Sequence, residues 1–290
     1  MGGIIDKITE FIKELLQGWV LTNLETMFTD VNDKVGTIAG EVSKTPSTWN
    51  SGIFDMIKTL SDNVMIPIAG MIISFVLVYE LISMVIDKNN LHDFNTAIFI
   101  RFFMKACIAV MLLSKTFDIV MAVFDVGSHI VNSAAATISG ETSIDVSSTL
   151  QTMFNEQFSE MSIGELLGLG METMIVSLCM KIMSVLITVI LYGRMIEIYL
   201  YVSVAPVPCA TVTNREWGTI GTNYFKGLCA LAFQGFFMMV CVAIYAVLVA
   251  GVAVSDNLHT ALWSVAAYTV ILCFSLFKTG SLSKSIWNAH

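Results

Sequence analysis

Residues 189–234 read VILYGRMIEIYLYVSVAPVPCATVTNREWGTIGTNYFKGLCALAFQ. In this stretch two apolar runs are connected by Ala205-Pro206-Val207-Pro208 and a polar turn at 213–218. Proline has no backbone N–H and disfavours helix in the residue before it, so two prolines two residues apart stop a helix. The stretch therefore predicts a helix that ends at the prolines and a second apolar helix that opens near Asn223. Residues 205–222 are referred to below as the join.

The composition of the whole chain places these two runs in a membrane. Hydrophobic residues make up 56% of the 290 residues and charged residues only 13%, whereas a soluble domain carries about 25% charged residues. The mean hydropathy is +0.76, and several largely apolar runs are 18 residues or longer, the length that a spanning helix needs. The sequence predicts an all-α, polytopic membrane protein with about five transmembrane helices.

The five predicted spans fall into two groups. The first group, in 64–126, holds one span at about 64–86 and a second apolar run over 94–126; the second group, in 169–290, holds spans within 169–204, at 224–252 and at 260–277. A helix over 94–126 would be about 50 Å long, which exceeds the roughly 30 Å hydrocarbon core. It would either project beyond the bilayer, with Arg101 and Lys105 reaching one interface, or kink near Ser114.

Two further regions lie outside the spans. In the N-terminal region, residues 1–63, apolar residues recur at helical spacing over 4–28 with charged residues on the opposite face. This pattern predicts an amphipathic helix that is too charged to span; it would pack on its own domain or the bilayer, or contact a partner outside the membrane. Residues 127–168 are polar and are predicted to form a long loop, made acidic by Glu156, Glu160 and Glu165.

The distribution of lysine and arginine predicts the orientation. The chain has none between Lys115 and Lys181, whereas the 87–105 region, the join with its flanks, and the C-terminus all carry them. By the positive-inside rule, the N-terminal region and the 127–168 loop lie outside, while the join and the C-terminus face the cytoplasm. The N-terminal region contains five lysines and no evident signal peptide, but long segments translocate largely regardless of charge.

Polar side chains within the predicted spans are candidates for functional sites, because an ionisable group in a membrane faces protein or water. They are Glu80, Lys181, Arg194, Glu197 and Gln234. Glu80 could instead be protonated or paired near an interface, and Arg194 and Glu197, three residues apart, could pair on one helix face. Gln234 can hydrogen-bond across a helix interface, and Gly227, Ala230 and Gly235 allow close helix packing.

Other classes of function find little support. The HExxH, GxSxG, Walker A and GxGxxG motifs are absent, and the four histidines are far apart, so we expect no enzyme activity, cofactor or metal. The six cysteines lie in or beside apolar runs without CxxC spacing and are expected to be buried. The net charge of −8 does not suggest direct nucleic-acid binding. We find no internal repeat of the kind that marks many secondary transporters.

The residues around the join resemble the core signature of TrbL-like proteins, the polytopic inner-membrane components of conjugal-transfer (type IV secretion) systems. The resemblance covers about residues 60–285 and is carried by Arg194, Glu197, Tyr199, the segment 205–210 with Pro206 and Pro208, the turn Asn214-Arg215-Glu216-Trp217-Gly218, and 223–226. It implies an oligomeric membrane assembly below the secretion channel. It also implies contacts with export ATPases and the coupling protein inside, with stalk or channel components outside, and single-stranded DNA with its relaxase as cargo.

We therefore interpret the chain as a membrane subunit of a conjugation channel, in the inner membrane, with the N-terminus outside. The join would present a cytoplasmic surface to an ATPase or to the coupling protein, and the 127–168 loop an extracytoplasmic platform. One alternative is the permease subunit of an ATP-driven transporter, whose ATPase would dock on the same join. The other is a pore-forming or purely structural membrane protein.

Overall fold

The computed structural model describes residues 2–86, 96–139, 158, 161–252 and 258–289. Every regular element within these ranges is helical. The elements are α1 (Gly2–Ser43), α2 (Pro46–Trp49), α3 (Ser51–Leu60), a π-helical turn (Ser61–Met65), α4 (Ile66–Ile86), α5 (Thr96–Ser114), α6 (Thr116–Ser139), α7 (Ile163–Val204), α8 (Pro206–Cys209), α9 (Gly218–Val252) and α10 (Leu258–Ile286).

Five stretches of described helix are long and apolar enough to cross a membrane: Ser51–Ile86, Thr116–Thr137, Ile163–Val204, Gly218–Val252 and Leu258–Ile286. The prediction of an all-α, polytopic membrane protein is confirmed. Helix α1 has 42 residues and thus the length of a span, but it is too polar to be among the five.

Five elements extend beyond the boundaries that the sequence predicted. Helix α9 starts at Gly218 instead of near Asn223, and α10 runs from Leu258 to Ile286 instead of over 260–277. The N-terminal helix continues past residue 28 to Ser43. The second apolar run is divided at Lys115, next to the kink predicted near Ser114. Helix α6 then continues to Ser139, through the first part of the predicted 127–168 loop. Helix α7 starts at Ile163, so the predicted loop is also shorter at its other end. Glu156, Glu160 and the connections at 87–95 and 253–257 lie outside the described residues.

The chain folds into two compact units, and α7, α9 and α10 each contribute to both. The first unit contains the described residues of 1–42, 132–191 and 237–278. In it, α1 and α7 are in contact: the Asn23 side chain donates to Thr173 Oγ1 at 3.4 Å. The ring of Trp19 packs against Gly170, where a Cβ atom would come within 2.2 Å of it.

The second unit contains the described residues of 43–131, 192–236 and 279–290, and it holds the join. Its main apolar core is formed by side chains of α6, α7 and α9, among them Val120, Ile198 and Leu228, with the α3 side chain Ile57. Tyr199 anchors the segment before α3 to α7, because its hydroxyl donates to the carbonyl oxygen of Pro46 at 2.7 Å. The fold of this unit sets the position of the join.

Candidate functional site

The two prolines interrupt the helix without ending the helical course of the backbone. Helix α7 ends at Val204, and α8 starts at Pro206. Ala205 between them keeps helical dihedral angles, φ −48° and ψ −41°, although a residue before proline usually avoids this region. Backbone bonds continue from Cys209 N to Ala205 O at 3.2 Å and from Ala210 N to Pro206 O at 3.0 Å. Because prolines cannot donate, the two bonds that Pro206 and Pro208 would make backwards are missing, and α8 is a separate short helix.

Asn214 shapes the polar turn that follows α8. Its Oδ1 accepts from the backbone N–H of Glu216 at 2.8 Å and of Trp217 at 2.9 Å. Asparagine favours such turns because its side chain can replace a backbone acceptor. The turn ends at Gly218, the first residue of α9. One buried side chain thus holds the conformation of 214–217.

The same Asn214 side chain links the turn to the first predicted span. Its Nδ2 donates to Glu80 Oε2 at 3.3 Å, and Lys105 Nζ of α5 binds the other oxygen of that carboxylate. Glu80 is 8% exposed and Asn214 4% exposed. A buried carboxylate needs a cation and hydrogen-bond donors to offset its lost hydration, and here both are supplied. Glu80, Lys105 and Asn214 form the Glu80 hub, which connects α4, α5 and the join.

An aromatic stack fixes the turn beside the hub. The Trp217 ring stacks on Phe75, with centroids 5.5 Å apart and planes at 13°, and on Tyr79, at 5.6 Å and 12°. Phe75 and Tyr79 are four residues apart and so share a face of α4. The Tyr79 hydroxyl also donates to Glu216 Oε2 at 2.7 Å. The join is therefore attached to α4 by an aromatic stack and by two hydrogen bonds, each from a neutral donor to a carboxylate.

The start of the join is buried in apolar surroundings. Ala210 packs in a cluster with Ala69, Ile73 and the α5 side chains Ala109 and Leu113. Cys209 is also buried, and its burial raises the pKa of the thiol to about 11, against a smaller opposite effect of its hydrogen bond with Thr116. A thiol with a raised pKa is mostly un-ionised at neutral pH, so Cys209 is a packing residue of the join.

At Gly221 the first turn of α9 packs closely against residues 208–212 of the join. A Cβ atom added to Gly221 would lie 2.7 Å from the carbonyl oxygen of Pro208 and 2.3 Å from a methyl group of Val212. Such distances require the backbone to move. Glycine is thus needed at 221 because of space, since its own dihedral angles are ordinary.

The predicted partner-contact residues divide between the interior and the surface. Pro206, Asn214 and Gly218 are buried, whereas Pro208 and Trp217 are partly exposed. Arg215 and Glu216, the charged pair of the turn, are exposed. The interior residues fix the conformation of the join. The charged pair lies at its surface, as do Thr219, Ile220 and Thr222.

A groove runs beside the join. It has a volume of about 550 Å³ and is lined by apolar and aromatic side chains of α7 and α9 with Pro208 between them: Leu200, Tyr201, Val204, Pro208, Ile220, Asn223 and Tyr224. Tyr201 and Tyr224 stack at 5.7 Å, and the Tyr224 hydroxyl donates to the carbonyl of Tyr201 at 2.9 Å. The groove is apolar with one polar end at Asn223.

The polar residues of α7 and α9 are placed in three different environments. Glu197 Oε1 lies 2.6 Å from Lys284 Nζ of α10, so its described partner is on another helix. Arg194 is buried in the second unit, one turn earlier on α7. Gln234 is also buried, and its Nε2 lies 3.5 Å from Thr279 Oγ1. Lys181 belongs to the first unit and is exposed; it is not part of the site around the join.

The predicted packing residues of α9 are all buried. A Cβ atom at Gly227 would lie 2.9 Å from the Tyr201 hydroxyl oxygen. The carbonyl of Ala230 accepts from Ser283 Oγ at 2.5 Å, which ties α9 to α10. Gly235 is buried on the same helix. Small residues thus occur where α9 meets its neighbours.

Four residues of the site were not identified from the sequence as parts of it. Lys105 was expected at a membrane interface, Lys284 entered only as one of the positive charges of the C-terminus, and Phe75 and Tyr79 had no assigned role. The signal for Lys105 was present, since a cation in the second predicted span is a natural partner for a carboxylate in the first. The stacking of Phe75 and Tyr79 has no such signal, because aromatic residues are common in any span.

The described residues were compared with the expectations for metal sites and cysteines. No group of three or more histidine, cysteine, aspartate or glutamate side chains among them is placed to hold a metal ion. All six cysteines are free thiols. Five are buried or partly buried, whereas Cys107 is exposed on α5, contrary to the expectation that all would be buried.

Comparison with known proteins places most of this architecture in one family. The family model described as TrbL/VirB6 plasmid conjugal transfer like protein matches residues 31–206, which run from the second half of α1 to the first proline of the join. A search of curated proteins finds no match, and a search of solved structures finds none either.

Proposed function

Since this chain belongs to the TrbL/VirB6 family of plasmid conjugal transfer like proteins, we propose that it is a channel or scaffold subunit of a conjugative type IV secretion machine. The family makes it a multi-pass membrane component of conjugal transfer. The finer role follows from the site, whose turn at 213–218 lies beyond the matched residues. We assign the subunit a positioning role in export and no catalytic step.

The join is proposed as the docking surface for an export ATPase or the coupling protein. The observation that carries this proposal is the attachment of the turn to α4: the Glu80 hub and the Trp217 stack hold it in one conformation. A preorganised loop loses little conformational entropy on binding. Arg215 and Glu216 are presented at its surface, where charged groups steer a partner and select it.

The proposed orientation places this surface in the cytoplasm of the donor cell, with the protein in the inner membrane. Arg215 and Lys226 flank the join, and Lys278 and Lys284 lie near the end of the chain. Positive residues of this kind are retained on the cytoplasmic side. The N-terminus and the 140–162 connection then lie outside, where they would meet stalk or channel components.

The proposed assembly is a homo-oligomer. Many apolar side chains of the candidate spans are exposed, among them Phe75, Phe103, Leu200 and Phe274. In a membrane such side chains contact either lipid or another subunit. Copies arranged around an axis would surround the path of the cargo, single-stranded DNA with its attached relaxase.

Reversing one exposed charge of the turn tests the docking role. Arg215→Glu leaves the interior of the join intact and should lower conjugation frequency by about tenfold, which corresponds to about 1.4 kcal/mol of lost docking free energy. Lys7→Glu is the matched control, because it makes the same charge change at an exposed residue near the N-terminus, which is proposed to lie outside. Membrane levels of both variants are compared by immunoblot.

A photo-reactive residue at position 215 identifies the partner. Under the proposal it cross-links to an ATPase or the coupling protein in donor cells, and it does so less in a chain that also carries a disrupted turn. Wild-type transfer by Arg215→Glu, together with absence of a cytoplasmic cross-linked product, would show that the join is not a docking surface.

A further inference from the structure

Helices α4 and α5 form a pair that packs apart from the main core of the second unit. Their buried apolar side chains share a small cluster that also includes Ala210 of the join. The main core is formed by buried side chains of α3, α6, α7 and α9 with Ala205, and the two clusters have no described residue in common. The two helices, called the α4–α5 pair below, are thus packed on each other and on the join.

The chain enters and leaves this pair from the main core. Helix α3 precedes α4, and α6 follows α5. The rings of Phe54 on α3 and Phe117 on α6 lie 5.5 Å apart, and Lys58 Nζ lies 5.9 Å from the centroid of the Phe117 ring. Ile57 and Phe117 are both part of the main core. The two stretches of chain that carry the α4–α5 pair are therefore fixed in the core where they meet it.

Each junction between the core and the pair interrupts the α-helix. Between α3 and α4 lies the π-helical turn Ser61–Met65, where the backbone N–H of Ile66 bonds to the carbonyl of Ser61. Between α5 and α6 lies Lys115, and the hydroxyl of Thr116 beside it bonds back to the carbonyl of Leu112 at 2.9 Å. Back-bonding of this kind often bends a helix, and a π-helical turn inside a helix is frequent at functional sites.

The two interruptions lie at the same end of the pair. Glu80 of α4 is bound to Lys105 of α5. Ala69, which is nearer the π-helical turn, shares the small cluster with Leu113, which is nearer Lys115. The two helices are therefore antiparallel, and both interruptions are at one level. Hinges are formed by a few residues at the ends of elements, and two such points at one level define one axis of rotation.

Little apolar surface holds α4 along the rest of its length. Its buried residues are Ala69, Ile73, Val76 and Glu80, which recur at helical spacing and so form one stripe. The other described residues of α4 are partly or fully exposed. Segments with few buried apolar contacts belong to the parts of a protein that open or move most easily.

Polar and aromatic contacts with the turn supply the rest of the attachment. Asn214 donates to Glu80 at 3.3 Å, and Trp217 stacks on Tyr79. The Tyr79 hydroxyl donates to Glu216, which is exposed. A basic side chain of a docked partner would compete with Tyr79 for this carboxylate, because a hydrogen bond from a cation is stronger than one from a neutral hydroxyl. The surface proposed for docking thus also holds the α4–α5 pair.

We propose that the α4–α5 pair rotates as one body about the π-helical turn and Lys115, and that the contacts of Asn214, Glu216 and Trp217 hold it against the join until a partner docks. Loss of these contacts lets the far end of the pair move away from the join, while the near end stays in place. This inference rests on the proposed docking role of the join and adds what docking moves.

Distances between spin labels measure this rotation. In a chain whose six cysteines are replaced by serine, Thr222→Cys on α9 carries the reference label, and a second label is placed at Met71→Cys or Ile82→Cys on α4. All three residues are exposed. Double electron–electron resonance gives the two distances in the purified chain in lipid nanodiscs. Asn214→Asp is used to release the pair, because it replaces the donor to Glu80 with an oxygen acceptor.

The positions of the two α4 labels give the expected result. At 1.5 Å per residue, position 71 lies about 9 Å and position 82 about 26 Å from the end of the π-helical turn. A rotation displaces each point in proportion to its distance from the axis. In Asn214→Asp both distances from position 222 should therefore increase, and the increase should be about three times as large for position 82 as for position 71.

Two further variants and one internal pair of labels are the controls. Adding Glu80→Gln to Asn214→Asp provides a new donor and should return both distances to their native values. Tyr79→Phe removes one hydroxyl and keeps the ring, so the chain folds and a minor population should appear at the longer distance. Labels at positions 71 and 100, both exposed residues of the α4–α5 pair, should keep one distance in every variant.

Three results would overturn the proposal. Equal increases at positions 71 and 82 would mean that the pair slides instead of rotating. A changed distance between positions 71 and 100 would mean that the pair itself comes apart. Native distances in both Asn214→Asp and Tyr79→Phe would mean that the turn does not hold the pair. These distances are measured without other transfer proteins, so a failure of the docking role, measured by mating and by cross-linking at position 215, is seen separately.

Discussion

Replacing Asn214 by aspartate separates the two tasks of this side chain. In the native protein, Nδ2 donates to Glu80 at 3.3 Å, and Oδ1 accepts from the backbone of Glu216 and Trp217. Asn214→Asp keeps an oxygen acceptor for the turn. It replaces the donor with a second carboxylate oxygen facing Glu80. The substitution therefore removes the link to α4 and leaves the turn itself satisfied.

The geometry gives the size of the effect. Two unit negative charges at the observed 3.3 Å repel by about 5 kcal/mol at an effective dielectric constant near 20. The pair thus exchanges a hydrogen bond for a repulsion of a few kcal/mol. Lys105, which already binds Glu80, reduces this repulsion. We expect a net loss of about 2–3 kcal/mol, comparable to leaving a buried acceptor without its donor.

A second substitution should restore the contact. Adding Glu80→Gln to Asn214→Asp reverses the roles, because the new amide can donate to the new carboxylate while Lys105 still faces one negative charge. Conjugation frequency and thermal unfolding of the purified chain in detergent are measured for both. The single variant should transfer at least about tenfold less well, as expected for more than 1.4 kcal/mol, and the double variant should recover most of that loss.

The control is the same chemical change at an exposed asparagine. Asn63→Asp alters a side chain at the surface of the second unit and should behave like the native protein. If Asn214→Asp also transferred and unfolded like the native chain, or if the double variant inserted normally but recovered nothing, the Glu80 hub would not hold the join.

Three further predictions concern the surroundings of the join. Burial raises the pKa of Cys209 to about 11. In a chain with this cysteine alone, the rate of reaction with N-ethylmaleimide should therefore keep rising about tenfold per pH unit above pH 9, where the rate for an ordinary thiol levels off. A rate that levels off near pH 9 would contradict the burial of this thiol. Gly221→Ala places a Cβ atom too close to a backbone carbonyl of the join and should lower the free energy of unfolding in detergent by about 1–3 kcal/mol. Gly251→Ala is the control and should leave this free energy unchanged, because no atom lies within 4 Å of the new Cβ. Lys284→Ala should cost at most about 1 kcal/mol, because Lys284 and Glu197 are 38% and 37% exposed; a larger loss in the same unfolding assay would show that the pair is more shielded than its exposure indicates.

The helical class and the position of the join could be predicted because both follow from local chemistry. A run of apolar residues is a span wherever it occurs, and Pro206 and Pro208 interrupt a helix through their own bonding. The burial of Glu80 and Gln234 follows in the same way, since a polar group inside a span faces protein.

The partners of these groups could not be predicted. Glu80 binds Lys105, 25 residues away, and Asn214, 134 residues away. Which side chain reaches it depends on the rotation and vertical register of α4 and α5 and on the position of the turn, and one sequence contains no information on these. For the same reason the sequence offered Arg194 as a partner for Glu197, on its own helix, whereas the structure shows Lys284 of α10.

The predicted loop boundary is wrong at 127–139, because polar residues do not by themselves end a helix. Residues 127–139 continue α6 although they include Ser133 and Thr137, because a polar residue ends a helix only when its side chain competes for the backbone. The Thr137 hydroxyl instead bonds back to the carbonyl of Ser133 at 2.9 Å, within the helix. Alanines in the same segment favour helix.

The proposed role requires the join to face the cytoplasm. Thr219 is exposed at the start of α9, and Thr219→Cys in a chain without other cysteines can be treated with a membrane-impermeant maleimide. The thiol should be labelled in inverted inner-membrane vesicles and remain unlabelled in intact spheroplasts. Labelling in intact spheroplasts, with none in inverted vesicles, would place the join outside the cell and contradict its role as a surface for cytoplasmic ATPases.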